Sequence, residues 1–336
     1  MAVLLEALGS LPRCTVREQA PLGALTTYRV GGPAAVVIEV PDEAALVDLA
    51  RVTAAAAEAG ALPPVLVLGR GSNLLVSDRG FDGVVVVPGD GFTRIDIEGT
   101  RVEAGAAVSL PVLARQTAAA GLSGLEWAVG VPGSVGGAVR MNAGGHGSDT
   151  AATLERFRGV DLATATAFDR AGAELGADYR RTSLAPLEVV TAAVHRLEPG
   201  DPALGAARIA EIVRWRREHQ PGGSNAGSVF ANPPGDAAGR LIEACGLRGY
   251  RSGTASVSGK HANFIVADDG GSADDVMAVV RHVQRTVEER TGIRLRTEVR
   301  LVGFDGPDID GPDRGGTGPR GEPDHTAAGE RAEAGR

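Results

Sequence analysis

The chain has 336 residues, of which 43% are hydrophobic, and it carries a formal net charge of −8. This length accommodates two or three domains, and the acidic balance argues against a general nucleic-acid binder, which would carry a basic face. Cys14 and Cys245 lie too far apart in the chain to form a disulfide framework or a zinc-binding motif. No signal peptide and no apolar run of about 18 residues is recognisable, so we expect a cytoplasmic protein without a membrane span.

The first part of the chain alternates between strand and helix patterns. Residues 34–40 and 64–69 are rich in β-branched and other apolar side chains and predict buried strands. Between them, residues 41–60 predict a helix that Asp42 caps and Gly60 ends. This order predicts a βαβ-like opening.

Short strands and turns follow over residues 81–107, and a helix is predicted over residues 109–121. A Gly-rich segment comes next, and three further strand patterns, LERFRGVDL, TATAFDR and LEVVTAAVHRLEP, lead to residue 199. The pattern predicts an α+β unit with a largely antiparallel second sheet.

A helix is predicted over residues 201–220, and it is expected to begin a new structural unit. The next helices are GDAAGRLIEACGL and residues 272–292, where Ser272 and Asp275 have the spacing of a capping box. An alternating strand, IRLRTEVRLVG, ends this unit. Beyond Phe304 the chain has almost no apolar side chains, so residues 305–336 are predicted to form a disordered tail.

Two Gly-rich stretches suggest binding of a phosphorylated ligand. In LGRGSNLLVSD, Gly69 and Gly71 follow a buried strand, so the backbone can aim N–H groups at a phosphate, and Ser72 and Asn73 add side-chain donors. The stretch has neither the dinucleotide-binding fingerprint nor a P-loop lysine. A plain tight turn is the alternative.

The second stretch is VGVPGSVGGAVRMNAGGHG, residues 129–147. Pro132-Gly133-Ser134 would offer backbone donors, and Gly136-Gly137 would allow close approach of a flat or phosphorylated ligand. A set of hairpin turns is the alternative here. Two such loops in one unit favour a large diphosphate ligand.

Single polar residues are harder to interpret from the sequence. Ser228 lies in SNAGSVFANP, which lacks the strand-to-helix setting of a nucleophilic serine. Arg180 in DYRRTSL and Glu298 in RTEVRLVG read as surface charges more readily than as site residues. The histidines show no metal-ligand spacing, so we expect no metal site.

Taken together, seven stretches resemble one family in order, over residues 25–303. They are LTTYRVGGPA, LGRGSNLLVSDRGFDGVVV, GLEWAVGVPGSVGGAVRMNAG, YRR, NAGSVFANP, AGRLIEACGLRGYRSGTASVSGKHANFIV and EVRLVG. The chain thus resembles the UDP-N-acetylenolpyruvoylglucosamine reductases, flavoenzymes of peptidoglycan precursor synthesis. Each stretch alone is weakly specific, whereas seven in order are strongly specific.

The resemblance implies an α+β fold, with a vanillyl-alcohol-oxidase-type (PCMH) FAD-binding domain and a smaller α+β substrate-binding domain. We expect an N-terminal segment (1–20), the FAD-binding domain (21–200), the substrate-binding domain (201–304) and the tail (305–336). FAD would be bound non-covalently, because the matched flavin loops contain no histidine or cysteine before Gly144. NADPH would be the co-substrate. The implied FAD-binding residues are Gly69, Gly71, Ser72, Asn73, Val131, Pro132, Gly133, Ser134, Gly136 and Gly137.

The resemblance also assigns the reacting residues. Ser228, Arg180 and Glu298 match the family's catalytic serine, arginine and glutamate. The substrate-binding positions fall on Tyr179, Asn232 and His219.

The sequence departs from the family pattern at several places. Ala231 replaces a frequent lysine, Thr182 a usual serine, and His219 a lysine that would face the substrate or NADPH. The tyrosine-bearing loop of one branch is missing after Tyr179, which indicates the shorter branch.

The implied reaction is NADPH-dependent reduction of UDP-N-acetyl-3-O-(1-carboxyvinyl)-glucosamine to UDP-N-acetylmuramate through FAD. Arg180 suits the charge that develops on the substrate carboxylate. Glu298, if it is protonated or shares a proton, could donate to the same group, and a buried site would raise its pKa. Ser228 would supply the proton to the enolate carbon as a general acid.

Two other functions stay open at this point. One is another FAD-dependent oxidoreductase on the same fold, and the other is a non-catalytic binder of flavin or of a nucleotide sugar. The expected partners are the UDP-sugar substrate and NADPH, for a monomer that binds neither nucleic acid nor membrane.

Overall fold

The computed structural model describes residues 2–305, which form seven α-helices, four short 3-10 helices and eighteen strands. The helices are α1 (Ala2–Gly9), α2 (Glu43–Glu58), α3 (Leu110–Ala119), α4 (Val135–Met141), α5 (Pro202–His219), α6 (Ala238–Ala244) and α7 (Ala273–Thr291). The first strands are β1 (Thr15–Ala20), β2 (Ala34–Val40), β3 (Val65–Val67), β4 (Leu74–Val76), β5 (Phe81–Pro88), β6 (Ile95–Glu98), β7 (Arg101–Gly105), β8 (Leu122–Ser123) and β9 (Gly144–Gly145). The others are β10 (Ser148–Asp149), β11 (Leu154–Asp161), β12 (Thr166–Ala171), β13 (Glu188–Arg196), β14 (Glu198–Pro199), β15 (Arg251–Ser252), β16 (Ala255–Val257), β17 (Ile265–Ala267) and β18 (Arg300–Val302).

The first sheet has the strand order β1-β2-β5-β3. Strand β5 pairs in parallel with both β2 and β3, and α2 crosses between those two strands, as the predicted βαβ opening requires. Asp42 caps α2 through a 2.8 Å hydrogen bond from the backbone N–H of Ala45. Alternate side chains of β2 pack into cores on opposite faces of the sheet, with Ile38 against α2 and Val37 against the other side.

The second sheet has the order β12-β11-β13-β7-β6, and every neighbouring pair is antiparallel. This arrangement confirms the predicted antiparallel second sheet. Side chains of α3, α4 and α5 pack with the sheet in one core, which includes Leu113, Val139, Ile209 and Ile212.

The C-terminal unit packs α6, α7 and the β15-β16-β17 sheet around another core. Apart from Tyr28, Val30 and Leu75, this core begins at Ala226. A domain boundary at residue 201 would therefore separate α5 from the core of the second sheet, into which its side chains pack. Likewise, β1 of the expected N-terminal segment pairs with β2 in the first sheet.

Strand β18 returns to the N-terminal half and pairs in parallel with β4, which aligns Arg300 with Leu74. The backbone N–H of Arg300 donates to the carbonyl of Asn73 at 3.0 Å. This pairing brings the end of the C-terminal unit beside the first Gly-rich loop. The predicted tail lies outside the described residues, except for Asp305.

Candidate active site

A cavity of about 290 Å³ lies between the Gly-rich loops and the C-terminal unit. It is lined by residues of both halves of the chain. The predicted site residues in its wall are Gly69, Gly71, Ser72, Asn73, Val131, Pro132, Gly133, Ser134, Gly137, Arg180, Ser228 and Glu298. Segments far apart in sequence thus meet at one place.

The first Gly-rich loop follows β3 and runs along the cavity. Within residues 2–305, the backbone N–H groups of residues 69–73 donate to no acceptor, so they are available to a ligand. Gly71 has a positive φ of 60°, and a Cβ there would lie 2.6 Å from the carbonyl oxygen of Leu25. Only glycine therefore fits this turn without displacing the backbone.

The second Gly-rich stretch contains α4, so the alternative of a set of hairpin turns is wrong for its middle part. Ser134 caps α4 by accepting a 3.4 Å hydrogen bond from the N–H of Gly137. The backbone N–H groups of Gly133 and Ser134 have no acceptor in the described part of the chain. Gly136 packs so closely on Ala106 that a Cβ would approach the Ala106 Cβ to 2.9 Å.

Both loops fit a large diphosphate-bearing cofactor such as FAD. A second cavity of about 230 Å³ shares Gly69, Ser134 and Gly137 with the first and also reaches Gly136. The two spaces therefore border the same loops, where unpaired N–H groups are suited to phosphate oxygens. A Cβ on Gly69 would lie 2.4 Å from the Ser134 hydroxyl, so a larger residue there would displace the hydroxyl that caps α4.

Arg180 and Glu298 form an ion pair in the cavity wall. The Arg180 Nε donates to the Glu298 Oε1 at 2.7 Å, and the Arg180 Nη2 donates to the Gly144 carbonyl at 2.8 Å. Both side chains are largely buried, at 25% and 13% exposure. Burial raises the pKa of Glu298 above its ordinary value, although the Arg180 guanidinium acts in the opposite direction. The pair therefore holds a carboxyl with increased proton affinity beside a fixed cation.

Ser228 projects from a turn that the neighbouring strand segment holds in place. Gly227 has a φ of 76° and donates to the Asn225 Oδ1 at 3.0 Å. The Val229 carbonyl accepts a 2.8 Å hydrogen bond from the N–H of Glu298. The Ser228 hydroxyl lines the cavity and has no hydrogen-bond partner among residues 2–305. Its proton is thus available to a bound molecule.

The other predicted substrate-binding residues do not line the cavity. Tyr179 is 49% exposed, with its ring centroid 5.0 Å from the Arg180 guanidinium carbon. Asn232 accepts a hydrogen bond from the N–H of Ala238 at the start of α6. His219 is exposed at the end of α5 and stacks on Trp215. Their roles toward the substrate stay predictions.

The cavity wall also contains charged and polar side chains that the sequence analysis did not identify as site residues. Arg216 and Gln220 lie one turn apart on α5, and the Arg216 Nε donates to the Gln220 Oε1 at 2.7 Å. Arg140 and Arg300 line both cavities. Arg300 lies two residues after Glu298 on an alternating strand, so its shared face with Glu298 could have been inferred from the period of two.

The described residues contain no group of three or more His, Cys, Asp or Glu side chains placed to hold a metal ion. No helix in this part of the chain has the length and apolar character needed to cross a membrane.

Two family models match the chain. Residues 34–167 match the FAD binding domain, and residues 219–302 match the C-terminal domain of UDP-N-acetylenolpyruvoylglucosamine reductase. These matches agree with the predicted α+β fold of a FAD-binding domain followed by a smaller domain.

Individual proteins match over most of the chain. UDP-N-acetylenolpyruvoylglucosamine reductase 2 of Symbiobacterium thermophilum is 42% identical over 90% of this chain and 98% of its own. The crystal structure of the reductase from Thermus caldophilus has a TM-score of 0.74 and 36% identity, covering 86% of this chain and 99% of that one. The BBE-like 1 protein of Physcomitrella patens shares the fold alone, with a TM-score of 0.52 and 12% identity over 85% and 88% of the two chains.

Proposed function

The chain belongs to the UDP-N-acetylenolpyruvoylglucosamine reductase family, and on this premise we propose that Arg180, Glu298 and Ser228 divide the chemistry of its reaction. The protein is an FAD-dependent oxidoreductase of peptidoglycan synthesis. It reduces the enolpyruvyl group of the UDP-sugar with NADPH and yields UDP-N-acetylmuramate. The observation that supports our assignment is the convergence of these three side chains on one cavity beside both Gly-rich loops.

Residues of the two loops would hold the cofactor. The free N–H groups of residues 69–73 and of Gly133 and Ser134 suit the oxygens of its diphosphate. When bound, FAD supplies the hydride that originates from NADPH and is received by the methylene carbon of the enolpyruvyl group. The tight contact of Gly136 with Ala106 keeps the loop close to the second sheet.

Arg180 stabilises the charge that develops on the substrate carboxylate. Its guanidinium is fixed by Glu298 and by the Gly144 carbonyl, so little reorganisation is needed when charge builds up. A planar guanidinium also matches the two oxygens of a carboxylate. This contribution is typically worth roughly 10²–10³ in rate.

Glu298 acts beside Arg180 as a carboxyl with a raised pKa. When it is protonated, it donates a hydrogen bond to the same substrate group instead of repelling it. Burial is the cause of the raised pKa, and the ion pair limits the increase. Glu298 also holds the guanidinium of Arg180 in the cavity wall.

Ser228 donates the proton that completes the reduction. Its hydroxyl has no competing acceptor among the described residues and lies on the cavity wall. A serine is a weak acid, but an enolate carbon is a strong base, so no triad is required. The carbon bonded to the carboxylate receives this proton, while the neighbouring methylene receives the hydride.

The proposal also covers the protein's partners, location and oligomeric state. A UDP-sugar and NADPH are the partners, and the protein acts as a cytoplasmic monomer that binds neither nucleic acid nor membrane. Sedimentation of the purified protein at micromolar concentration would test the monomeric state, and a dimer would contradict it.

Turnover of NADPH with and without the enolpyruvyl sugar nucleotide tests the function. We expect sustained NADPH oxidation only when the sugar nucleotide is present, with a product heavier by two hydrogens. Sustained oxidation without it would indicate a different flavin oxidoreductase. Bound flavin without any NADPH oxidation would indicate a binding protein.

A further inference from the structure

The backbone segment that follows Ser228 is paired along one edge with residues 296–298. The Val229 carbonyl accepts a 2.8 Å hydrogen bond from this stretch, and the Ala231 N–H donates a 3.0 Å hydrogen bond to it. Extended backbone directs the polar groups of successive residues to alternate edges. The N–H and the carbonyl of Phe230 therefore face the other edge, where no backbone group in the described part of the chain pairs with them.

The side chain of Asn263 takes the place of a strand at this second edge. Its Oδ1 accepts a 3.0 Å hydrogen bond from the Phe230 N–H, and its Nδ2 donates a 2.8 Å hydrogen bond to the Phe230 carbonyl. A carboxamide carries an acceptor and a donor in one plane, as a peptide group does, so it satisfies both groups of one residue. The Asn263 backbone carbonyl also accepts from the Val229 N–H at 2.8 Å. This last bond fixes the peptide that joins Ser228 to Val229.

Asn263 is itself fixed by the core of the C-terminal unit. It is only 4% exposed, and strand β17 begins two residues later at Ile265. The Asn263 backbone N–H donates to the Nδ1 of His261 at 3.2 Å. Asn263 lines neither cavity, so it lies behind the turn at Ser228 and not beside a bound ligand. Loss of this buried amide is costly, because two backbone groups would stay unpaired.

The Ser228 hydroxyl depends on backbone anchors for its direction. On the N-terminal side of the turn, the Gly227 N–H donates to the Asn225 Oδ1 at 3.0 Å. On the C-terminal side, Asn263 provides the three hydrogen bonds described above. The hydroxyl itself has no hydrogen-bond partner among residues 2–305. A general acid acts from within hydrogen-bond reach of the accepting atom, so a small displacement of the turn removes much of its effect.

We propose that Asn263 is a positioning residue for proton donation by Ser228. The inference rests on the proposed function, in which Ser228 is the general acid. Asn263 does not contact the substrate; it holds the backbone that carries the hydroxyl. The opposite edge of the same segment pairs with the N–H of Glu298. Removal of the amide therefore frees one edge only, and Ser228 shifts relative to Glu298.

Separate measurement of the two half-reactions in the holoenzyme tests this inference. We expect Asn263→Ala to slow reoxidation of the flavin by the enolpyruvyl sugar nucleotide about 10- to 100-fold, because the hydroxyl loses its placement. Flavin reduction by NADPH and the dissociation constant of the sugar nucleotide should stay within a few-fold of wild type, since Asn263 lines neither cavity. Asn263→Ser keeps a hydroxyl for one of the two Phe230 groups and should fall between. It carries the test if the alanine variant does not fold.

A double-mutant cycle with Ser228→Ala distinguishes positioning from general destabilisation. If Asn263 acts through the Ser228 hydroxyl, Asn263→Ala has nothing left to misplace in the Ser228→Ala background. We therefore expect less than about 3-fold further slowing of reoxidation in the double variant. Effects that multiply in the double variant, or equal slowing of both half-reactions by Asn263→Ala alone, would overturn the inference.

Thr254→Val is the matched control in the same unit. The Thr254 Oγ1 donates to the Asp275 Oδ2 at 2.7 Å, and neither residue lines a cavity. This variant should lose stability but keep both wild-type rates, and flavin absorbance with the melting temperature shows that each variant is folded. Wild-type reoxidation in both Asn263 variants, with a slow Ser228→Ala, would overturn the inference and leave the proposed function standing. Wild-type reoxidation in Ser228→Ala would contradict both.

Discussion

Arg180 and Glu298 are 118 positions apart in sequence, yet the Arg180 Nε donates to the Glu298 Oε1 at 2.7 Å. Arg180 reaches this position from a left-handed backbone conformation with a φ of 55°, which is unusual for a residue with a Cβ. Contacts with Gly144 and Glu298 together hold the guanidinium in place. The strained backbone is consistent with a residue whose position serves the reaction.

Arg180→Lys should impair the step that consumes the sugar nucleotide. An ammonium on a flexible stem cannot reproduce the planar fork of Arg180 toward a carboxylate. We expect that half-reaction to slow by roughly 10²-fold, whereas reduction of the flavin by NADPH stays within a few-fold of wild type. Stopped-flow absorbance of the flavin measures the two steps separately. Equal slowing of both steps would contradict a specific role toward the substrate carboxylate.

Ser228→Ala should also separate the two half-reactions. Flavin reduction by NADPH uses no proton from Ser228, whereas the sugar-nucleotide step should slow by about 10²–10⁴ when the general acid is lost. Ser228→Cys should fall between, because a thiol can still donate a proton. Ser256→Ala, on β16 outside the cavity lining, is the control. If the alanine variant slowed neither half-reaction, the general-acid assignment would have to be abandoned.

Gly69→Ala should weaken FAD binding while leaving the fold intact. The new Cβ would lie 2.4 Å from the Ser134 hydroxyl, so this hydroxyl must either rotate out of its cap on α4 or move away with its loop. Overpacking of this kind typically costs about 1–3 kcal/mol, so the dissociation constant of FAD should rise at least about 5-fold. Titration of FAD into the apoprotein measures it. Gly9→Ala, where a Cβ meets nothing within 4 Å, should bind FAD like the wild type.

Asp78→Asn should destabilise the contact between the N-terminal half and α7. The Asp78 carboxylate accepts hydrogen bonds from the Ser272 hydroxyl at 2.6 Å and from the N–H groups of Ala273 and Asp274 at 3.0 Å each. Burial alone would raise the pKa of Asp78, but these hydrogen bonds outweigh it and lower the pKa. Because the carboxylate is exposed, we expect a loss of about 0.5–1 kcal/mol in the free energy of unfolding.

The effect of Asp78→Asn on the free energy of unfolding should depend on pH, because the pKa of Asp78 is lowered in the folded protein. A carboxyl with a lowered folded-state pKa stabilises the fold above its unfolded pKa of about 3.9 and loses this contribution as the pH falls toward its folded value. The difference between wild type and Asp78→Asn should therefore be full at neutral pH and shrink below about pH 4. Urea unfolding at several pH values measures it, with Asp269→Asn as the control. A difference that grew in acid would contradict the assignment.

Local sequence patterns were sufficient to predict much of the fold and to name the candidate site residues. The helix cap at Asp42, the turn at Gly71 and the alternation of β2 depend on a few neighbouring residues, so their structure follows from short-range sterics and hydrogen bonding. The Gly-rich loops and the serine turn could be recognised for the same reason. Their match to one family in chain order then identified Ser228, Arg180 and Glu298 as candidates.

The assembly of the site was decided by long-range packing. Parallel pairing of β18 with β4 brings Glu298 beside Asn73, and α5 packs into the core of the second sheet instead of joining the C-terminal unit. These pairings place Arg216 in the cavity and Trp215 against His146. Periodicity along a chain reports which face of an element is apolar, but many partners can cover such a face. Only the tertiary structure selects the partner, because the burial of the whole core determines which distant faces meet.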